Sequence, residues 1–465
     1  MRTGTLWRHR NFVLLWSGQS VSEVGSSVTV LALPLTAVVV LRATTLQVGL
    51  LTSASTAAFA LIALPAGALV DRWAKRRLMI WCDVARLVII GSVPLAAVLG
   101  LLTLGQLYAV AVTAGVATVF FDVAYQSYLP VVVDRDHLVE GNGKLGATQA
   151  FAQVTGPGLG GALAGLIGAA RALAVDALSY AVSVASLLAI NVPEDFPPKG
   201  GRGGLGGTVS PQELGGSGGD RPPGSLRKEI AEGLSFVLRH PVLRKIVACT
   251  GTANLFGAMG TALEIVFLIR VLRIRPADTG LLIAVASLGG VAGGLLAGRL
   301  GRRIGTARII WFSLIVLGFP QLLIPLAAPG WRVAAFPVGM AFYSFGGVVY
   351  NVAQVSYRQS ICPPRLLGRM NAAVRWVVWG TIPLGGVIGG VLGTLAGVRV
   401  TLWIAFSGSW AAGWWVFFSP LRRQRDLATQ QQPEEDLEDH RAPGSGIGGQ
   451  GGRERPDGAG PQLGD

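Results

Sequence analysis

Long apolar runs separated by short polar segments dominate this chain of 465 residues. A helix that crosses about 30 Å of hydrocarbon needs about 20 mostly apolar residues, so each run predicts one membrane span. The runs lie near residues 12–41, 46–70, 78–102, 105–128, 145–168 and 172–191, and then near 243–270, 277–298, 308–328, 332–356, 372–397 and 400–419. We therefore expect an all-α polytopic membrane protein with twelve transmembrane helices in two six-helix halves.

The polar segments between and after these two sets of spans divide the chain. Residues 192–225 are rich in Gly and Pro, a composition that predicts a flexible linker. Apolar residues then recur at helical spacing at Leu226, Ile230, Leu234 and Val237, which indicates an amphipathic surface helix or a polar extension of the seventh span. The predicted parts are an N-terminal half (1–191), a cytoplasmic linker (192–241), a C-terminal half (242–420) and a disordered cytoplasmic tail (421–465).

Composition supports the membrane class and excludes several others. The chain is 51% hydrophobic and 14% charged, whereas charged residues make up about 25% of soluble proteins. The net charge of +14 comes from Lys and Arg in short loops, without the aromatic-flanked basic stripe of a nucleic-acid surface. The three cysteines and four histidines are scattered, so we expect no metal site and no cofactor. Lys144 is followed by Leu145 rather than Ser or Thr, so no ATP-binding P-loop is present.

The basic loop residues also predict the orientation, because cytoplasmic loops carry an excess of Lys and Arg. In a twelve-span arrangement most of them fall on one side, which we take as the cytoplasmic side and the side of both termini; they are Arg8, Arg10, Arg72, Lys75, Arg76, Arg77, Arg299, Arg302, Arg303, Arg308, Arg365, Arg369, Arg422, Arg423 and Arg425. The loop after the seventh span violates this rule with Arg270, Arg273 and Arg275. A local structural or substrate-facing role is our interpretation of that loop.

The two halves share sequence patterns at a nearly constant offset. Residues 67–76 (GALVDRWAKR) align with residues 294–303 (GLLAGRLGRR), an offset of 294 − 67 = 227. Leu138 and Asn142 align with Leu367 and Asn371, an offset of 371 − 142 = 229. Two echoes at this spacing indicate duplication of a six-helix unit, as in many transporter folds.

The first of these repeats resembles the cytoplasmic loop signature of the major facilitator superfamily. The matching residues are Gly67, Asp71, Arg72, Lys75, Arg76 and Arg77, whereas Ala74 stands where the family usually has Gly. The resemblance covers all twelve predicted spans and implies that this loop latches the two halves in one of the alternating states. A generic positive-inside loop would explain the basic residues but not Asp71.

A second segment, in the predicted fifth span, resembles the antiporter signature of drug-exporting members of that superfamily. It consists of Gly156, Pro157, Gly160 and Gly161. Pro removes a backbone hydrogen bond, and glycines allow close approach of a partner helix. Simple helix packing is the alternative explanation. The same residues match a dinucleotide-binding pattern only by letter, because no strand precedes them.

Ionisable residues within membrane spans are costly, so they are functional candidates. Glu23 lies halfway along the first span and is our leading candidate for proton coupling or recognition of a substrate cation. Asp122, in the fourth span, stands where the resemblance places an acid that pairs with the basic loop residue at Lys75. Glu264, in the outer part of the seventh span, is a candidate for the cavity mouth or an anchored carboxylate near Arg270.

Two further ionisable residues lie in the third span. Asp83 and Arg86 are three residues apart and can neutralise one another on one helix face, a structural role. The fourth span lacks the arginine that many proton-coupled drug exporters of the family carry, which weakens the expectation of proton antiport.

These features together predict a secondary active transporter, not an enzyme. The expected activity is export of a small amphipathic organic molecule, such as a drug, antibiotic or siderophore, in exchange for protons. The expected surroundings are the lipid of the cell membrane, with a monomeric chain and no nucleic acid. An importer or uniporter of the same fold and a membrane sensor without transport are the alternatives.

Overall fold

The structure is a computed structural model that describes residues 6–70, 73–133, 137–191, 235, 237–362 and 367–426. The helices of the first half are α1 (Arg10–Val39), α2 (Thr45–Val70), α3 (Lys75–Val98), α4 (Leu104–Val132), α5 (Leu138–Ile167) and α6 (Ala169–Ala189). Those of the second half are α7 (Leu243–Val266), α8 (Pro276–Ile304), α9 (Arg308–Phe312), α10 (Ala335–Ile361), α11 (Leu367–Leu395), α12 (Val398–Ala411) and α13 (Gly413–Phe417). The prediction of an all-helical membrane protein is confirmed.

Eleven helical segments among the described residues are long and apolar enough to cross a membrane. The twelfth predicted span is divided, because α12 has only 14 residues. Ala412 keeps a helical backbone (φ −56°, ψ −31°), so α13 continues the direction of α12. Residues 398–417 together span about 30 Å at 1.5 Å per residue.

The predicted spans match the helices to within about six residues at each end, and the largest difference is at the start of α5. That helix begins at Leu138, whereas hydropathy places its start at residue 145. Its first two turns are polar and are stabilised by an ion pair of 2.7 Å between Glu140 and Lys144, one helical turn apart. An apolar-run criterion misses such turns because they are helical without being apolar. Leu138 and Leu367, paired by the internal repeat, are the first residues of α5 and α11.

The second half departs from regular α-helix at two places. The α7 helix continues as a π-helix over Phe267–Val271. The α9 helix continues as a π-helix over Ser313–Leu317 and then as a 3₁₀-helix over Phe319–Leu326. Pro320 and Pro325 lie in that last segment and cannot donate backbone hydrogen bonds, which favours the change of helix type.

Helix packing holds each half together and joins the two halves. Within the halves, α1 packs against α5 and α6, and α7 packs against α11 and α12. Between the halves, α2 packs against α11 and α5 packs against α8. Short connections make neighbouring helices antiparallel; α5 and α6, for example, are joined by Gly168 alone. We call the end of the bundle where α1 begins the N-terminal end, and the opposite end the α1–α2 end.

Both ends of the described chain are held by the half to which they belong. Leu6 is 1% exposed, and the ring of Trp7 lies 4.8 Å from that of Trp16 in α1. At the other end, the carbonyl oxygen of Arg425 accepts a hydrogen bond of 3.1 Å from the amide of Ala307. Asp426 accepts one of 3.0 Å from the amide of Thr306. The connection between α8 and α9 thus holds residues 425 and 426.

Several predictions concern residues beyond those described. Most of the linker with its amphipathic helix, and the tail after Asp426, lie outside the described residues. Val237, at the end of the predicted amphipathic helix, is 1% exposed and packs in a cluster with Leu243 and Met370. At this position the chain packs against the C-terminal half.

Candidate functional site

Four carboxyl groups and one guanidinium group lie inside the N-terminal half on four different helices. They belong to Glu23 of α1, Asp83 and Arg86 of α3, Asp122 of α4 and Asp176 of α6. Asp83, Arg86 and Asp176 are 0%, 3% and 0% exposed. All four carboxyl groups are within electrostatic reach of the single guanidinium. We call these five residues the carboxylate cluster.

Arg86 is held in the middle of this cluster by three neighbours. It forms a buried salt bridge with Asp83, which confirms the pairing predicted from their spacing. Its guanidinium carbon lies 4.2 Å from the ring centroid of Phe121 and 4.4 Å from that of Tyr180. Such cation–π contacts are strongest where water is excluded. The aromatic rings therefore fix the cation within reach of carboxyl groups on several helices.

Glu23 and Asp122 approach the cluster from α1 and α4. The side-chain amide of Gln19 donates a hydrogen bond of 3.0 Å to Glu23. The expected pairing of Asp122 with Lys75 is absent, since no described ion pair joins them. The reason is depth: Lys75 is the first residue of α3, whereas Asp122 lies ten residues, about 15 Å, before the end of α4. Arg86, eleven residues into α3, is at the matching depth.

The charge balance of the cluster determines its chemistry. One guanidinium can neutralise one carboxylate, and full ionisation of the other three would leave three uncompensated negative charges in a membrane interior. A buried unpaired charge is costly enough that such groups take up a proton or a counter-cation instead. The arrangement is therefore suited to holding and exchanging protons or cations.

Glu264 is not part of this cluster. It lies on α7 in the other half, where its carboxyl group is within electrostatic reach of the Tyr343 hydroxyl. Its Oε1 atom is buried without a hydrogen-bond partner among the described residues. Arg270, its expected neighbour, instead donates a hydrogen bond to the carbonyl oxygen of Ala43 in the N-terminal half. The structure therefore places Glu264 in the interior of the second half.

A cavity of about 650 Å³, which we call the central cavity, lies between α5 and the second half. The first half contributes Ala150, Gln153 and Val154, and the other wall residues come from the second half. Its polar side chains include Gln153, Thr250, Asn254, Ser287, Gln321, Tyr343, Ser344, Tyr350, Asn351 and Ser409. These groups are neutral, and Gln321 keeps a buried Oε1 atom without a described partner. This volume and mixed lining are typical of a site for a small organic molecule.

Glycines close the two halves against each other toward the α1–α2 end. In α5, Gly161 approaches α8 so closely that a Cβ atom would lie 2.6 Å from the Cα atom of Gly280. In α2, a Cβ atom on Gly49 would lie 2.7 Å from the Cα atom of Gly390 in α11. Real Cβ atoms do not approach other atoms this closely, so only glycine permits these contacts. We call the two contacts the glycine seams.

The antiporter-like residues of α5 divide between two partners. Gly156 and Gly160 face α1 of their own half, at Ser27 and Val28 respectively. Gly161, together with the carbonyl oxygen of Pro157, faces Gly280 of the other half. In α11 the same division recurs: Gly385 and Gly389 face α7, while Gly386 and Gly390 face α2. The two seams are thus related by the internal repeat.

A sequence model described as the Major Facilitator Superfamily matches residues 15–380 and 247–447 of this chain. The chain belongs to the Major Facilitator Superfamily. The predicted family and fold are thereby confirmed, and the chain is a transporter rather than an enzyme.

Three known proteins extend the comparison. The chain is 25% identical over 424 residues to the multidrug efflux pump Tap of Mycolicibacterium fortuitum, with 87% of this chain and 95% of Tap covered. A mutant of the nucleoside transporter NupG has a TM-score of 0.70 at 11% identity, covering 88% and 99% of the two chains. A bacterial homologue of the lysosomal transporter Spinster, crystallised inward-facing and unoccupied, has a TM-score of 0.65 at 16% identity, covering 89% and 97%. The two structures show the fold alone.

The loop signature of the superfamily is only partly described. Gly67 lies in the last turns of α2, Lys75 is the first residue of α3, and Asp71 and Arg72 lie outside the described residues. Arg76 donates hydrogen bonds of 2.7 Å and 2.9 Å to the carbonyl oxygens of Leu187 and Leu188. It thus caps the last turn of α6, where a cation is favourable. Arg77 has interactions as well.

Sequence reasoning missed Asp176 as a candidate. The signal was available, because Asp176 is an acidic residue within the apolar run of the sixth span, the same feature that singled out Glu23 and Asp122. Sequence reasoning also treated Asp83 and Arg86 as a self-contained pair. Their proximity to Glu23, Asp122 and Asp176 depends on how four helices pack, which spacing along a single helix cannot show.

Proposed function

We propose that this protein exports a small amphipathic organic molecule by proton antiport, with the two halves alternating about the central cavity. Family membership supports transport as such, and the similarity to a multidrug efflux pump supports export. The observation that carries the proposal is the carboxylate cluster, in which four carboxyl groups surround one guanidinium. The absence of a P-loop in the sequence favours an ion gradient over ATP as the energy source.

Protons and substrate have separate places in this proposal. Glu23 and Asp122 are the carboxyl groups that exchange protons, because Asp83 already neutralises Arg86. The substrate occupies the central cavity, where neutral amides and hydroxyls recognise its polar groups. No described acidic or basic side chain lines that cavity. Protonation therefore changes the affinity of the cavity for substrate only by changing the positions of the two halves.

The basic loops set the orientation of the proposed transporter. Arg302 and Arg303 end α8 at the N-terminal end of the bundle, and Lys75, Arg76 and Arg77 begin α3 there. We propose that this end faces the cytoplasm and that the protein acts as a monomer in the cell membrane. The glycine seams then close the extracellular side, and the described conformation is inward-facing. Gly67, Asp71 and the basic residues of the loop would stabilise the opposite state.

The test is transport by the purified protein in liposomes. An imposed proton gradient should drive accumulation of a fluorescent amphipathic dye, and Glu23→Gln should abolish that dependence because the amide cannot exchange a proton. Glu140→Gln is the matched control, since Glu140 is a partly exposed carboxylate that pairs with Lys144 at the start of α5. Measurement of dye flux and internal pH in the same vesicles gives the coupling directly.

The outcomes separate the alternatives. Accumulation that ignores the proton gradient would indicate a uniporter, and movement with the proton would indicate an importer. If no compound in a broad panel moves, and cells with and without the protein are equally susceptible to the panel, the export proposal is wrong.

A further inference from the structure

The N-terminal half contains a second cavity, of about 320 Å³, on the side of the carboxylate cluster that faces the α1–α2 end. We call it the acceptor cavity. It is bounded by α1, α2 and α4, with Ile90 of α3 and two polar side chains of α6 in its wall. Its hydrogen-bonding side chains are Ser26, Thr29, Thr52, Ser55, Thr56, Thr118, Asp176 and Tyr180. Neither the family resemblance nor the proposed proton chemistry assigns a ligand to this cavity.

The hydroxyl groups of this cavity are oriented as acceptors. Those of α2 and α4 each donate their hydrogen to a backbone carbonyl in the preceding turn of their own helix: Thr52 to Val48 (3.1 Å), Ser55 to Leu51 (3.1 Å), Thr56 to Thr52 (3.3 Å) and Thr118 to Ala114 (2.9 Å). A hydroxyl has one hydrogen and two lone pairs. These four hydroxyls therefore present lone pairs rather than donors to the cavity, while those of Ser26 and Tyr180 lie 3.0 Å apart and bond to each other.

Asp176 adds a carboxylate to these acceptors. It is 0% exposed, and the Thr29 hydroxyl donates a hydrogen bond of 2.5 Å to its Oδ2 atom. Tyr180 donates one of 3.4 Å to Oδ2, whereas the Ser179 hydroxyl donates to the backbone carbonyl oxygen of Asp176 at 2.7 Å and lies 3.3 Å from Oδ1. Among the described residues it forms no ion pair, because the guanidinium of Arg86 is bonded to Asp83. Its charge thus lacks a cation in direct contact.

The acceptor cavity also has apolar walls and an opening. Leu33, Leu51 and Val110 contribute hydrocarbon surface. Val30, another wall residue, is 76% exposed, so the cavity opens beyond the helix packing. Phe59 lines it as well, and its ring lies 5.7 Å from that of Trp379 in α11. The cavity therefore lies beside the contact between α2 and α11, which belong to different halves.

We propose that the acceptor cavity binds a protonated organic amine, with its N–H groups donating to Asp176 and the hydroxyl oxygens. This inference rests on the proposed function, because it names the charged group of the exported compound and gives that compound a second binding place beside the central cavity. A metal ion is disfavoured, since no described group of three His, Cys, Asp or Glu residues could hold one. The apolar walls and the volume suit the hydrocarbon part of an amine.

Two probes of nearly equal size and equal charge test the acceptor pattern. N,N-dimethylbenzylamine carries an N–H group when protonated at neutral pH, whereas benzyltrimethylammonium carries none. Titration calorimetry on the purified protein in lipid nanodiscs should show the tertiary amine binding at least about tenfold more tightly, because unpaired acceptors penalise the quaternary ion. Equal affinities for the two probes would overturn the proposal.

Single substitutions test whether the amine binds in the acceptor cavity. Asp176→Asn should weaken binding of the tertiary amine at least about tenfold, because it removes the charged acceptor of the single N–H group. Thr118→Val should weaken it about threefold, because it removes an oxygen lone pair that faces the cation. Thr113→Val is the matched control and should bind as the parent does. Its hydroxyl lies on the same helix and donates 2.6 Å to the carbonyl of Ala109, but it does not line the cavity. If Asp176→Asn does not fold, Thr118→Val and its control decide.

Other results separate this inference from the proposed function. Amine binding that disappears in Asp176→Asn, in a protein that exports nothing, supports the site and removes the export proposal. If the protein exports compounds but binds the two probes equally well, this inference is wrong and the export proposal stands. If millimolar Na⁺ displaces the amine and Na⁺ itself binds tightly, the acceptor cavity is a site for an inorganic cation. That result would also overturn the amine inference.

Discussion

The two halves of this protein share a helical plan but place ionisable groups differently. The interior of the first half holds Glu23, Asp83, Arg86, Asp122 and Asp176, and its helices α1 to α6 are regular over their full length. The interior of the second half holds one described acid, Glu264, and one buried arginine, Arg358, together with neutral amides and hydroxyls. Two of its helices change to π or 3₁₀ form. The seams and the helix packing recur in both halves, whereas the interiors differ. The difference indicates a division between the halves: the first binds protons and organic cations, and the second recognises neutral groups.

Removal of the Arg86 guanidinium from the carboxylate cluster should have the largest effect on this division between the halves. Arg86→Gln leaves Asp83 without its partner, and breaking a buried ion pair in this way costs about 3–5 kcal/mol of stability. We expect proton-driven export to fall roughly a hundredfold, because the carboxyl groups lose the charge that organises them. Vesicle flux and thermal unfolding measure both effects. Arg332→Gln, an arginine in the exposed 3₁₀ segment Gly330–Ala334, is the control, and normal export by Arg86→Gln would contradict the division.

Each glycine seam joins a helix of the first half to a helix of the second, so a larger side chain placed there should weaken the contact between the halves. In Gly280→Ala the new Cβ would lie 2.6 Å from Gly161 and overlap the Pro157 carbonyl oxygen. Overpacking of this kind costs about 1–3 kcal/mol, enough to favour the conformation with the α1–α2 end open. The population of the open conformation can be measured from distances between spin labels placed at the α1–α2 ends of α5 and α8. Gly143→Ala, where a Cβ meets nothing within 4 Å, should leave them unchanged.

A smaller effect is expected at the hydrogen bond that joins the halves beside the seams. Arg270→Gln removes the donor to the Ala43 carbonyl, worth about 1 kcal/mol, and should shift the population of the open α1–α2 end about fivefold. The same label distances measure this shift. Arg273→Gln, three residues away, is the control. An equal response of both variants would indicate that net charge, rather than the hydrogen bond, sets the equilibrium.

The smallest effect is expected at the acid of the second half. Because the carboxyl group of Glu264 has no described ion pair, Glu264→Gln should keep export within about threefold of the parent and leave the proton coupling ratio unchanged. Simultaneous measurement of dye flux and internal pH tests this. Loss of proton dependence in this variant would show that both halves exchange protons and would remove the contrast between them.

The sequence was sufficient for the fold because membrane spans are defined by local composition. Residues 243–271 and 308–326 read as spans from hydropathy alone, although neither hydropathy nor spacing revealed their π and 3₁₀ segments. The site was harder to predict because it depends on contacts between helices. Asp122 and Arg86 lie in different spans, and only the packing of α3 against α4 brings them together. Glu23 and Asp122 could be named from the sequence, whereas their proximity to Arg86 and Asp176 could not.

The anchored ends of the described chain make the motion of the halves measurable without labels in the membrane. Leu6 is tied into the first half and Asp426 into the second, so fluorophores attached beside them would move with α1 and with the α8–α9 connection respectively. The native cysteines at 82, 249 and 362 are all buried, and thiol-reactive dyes would therefore reach introduced end cysteines first. Energy transfer between such a pair turns the opening and closing of the pathway into an optical signal in living cells.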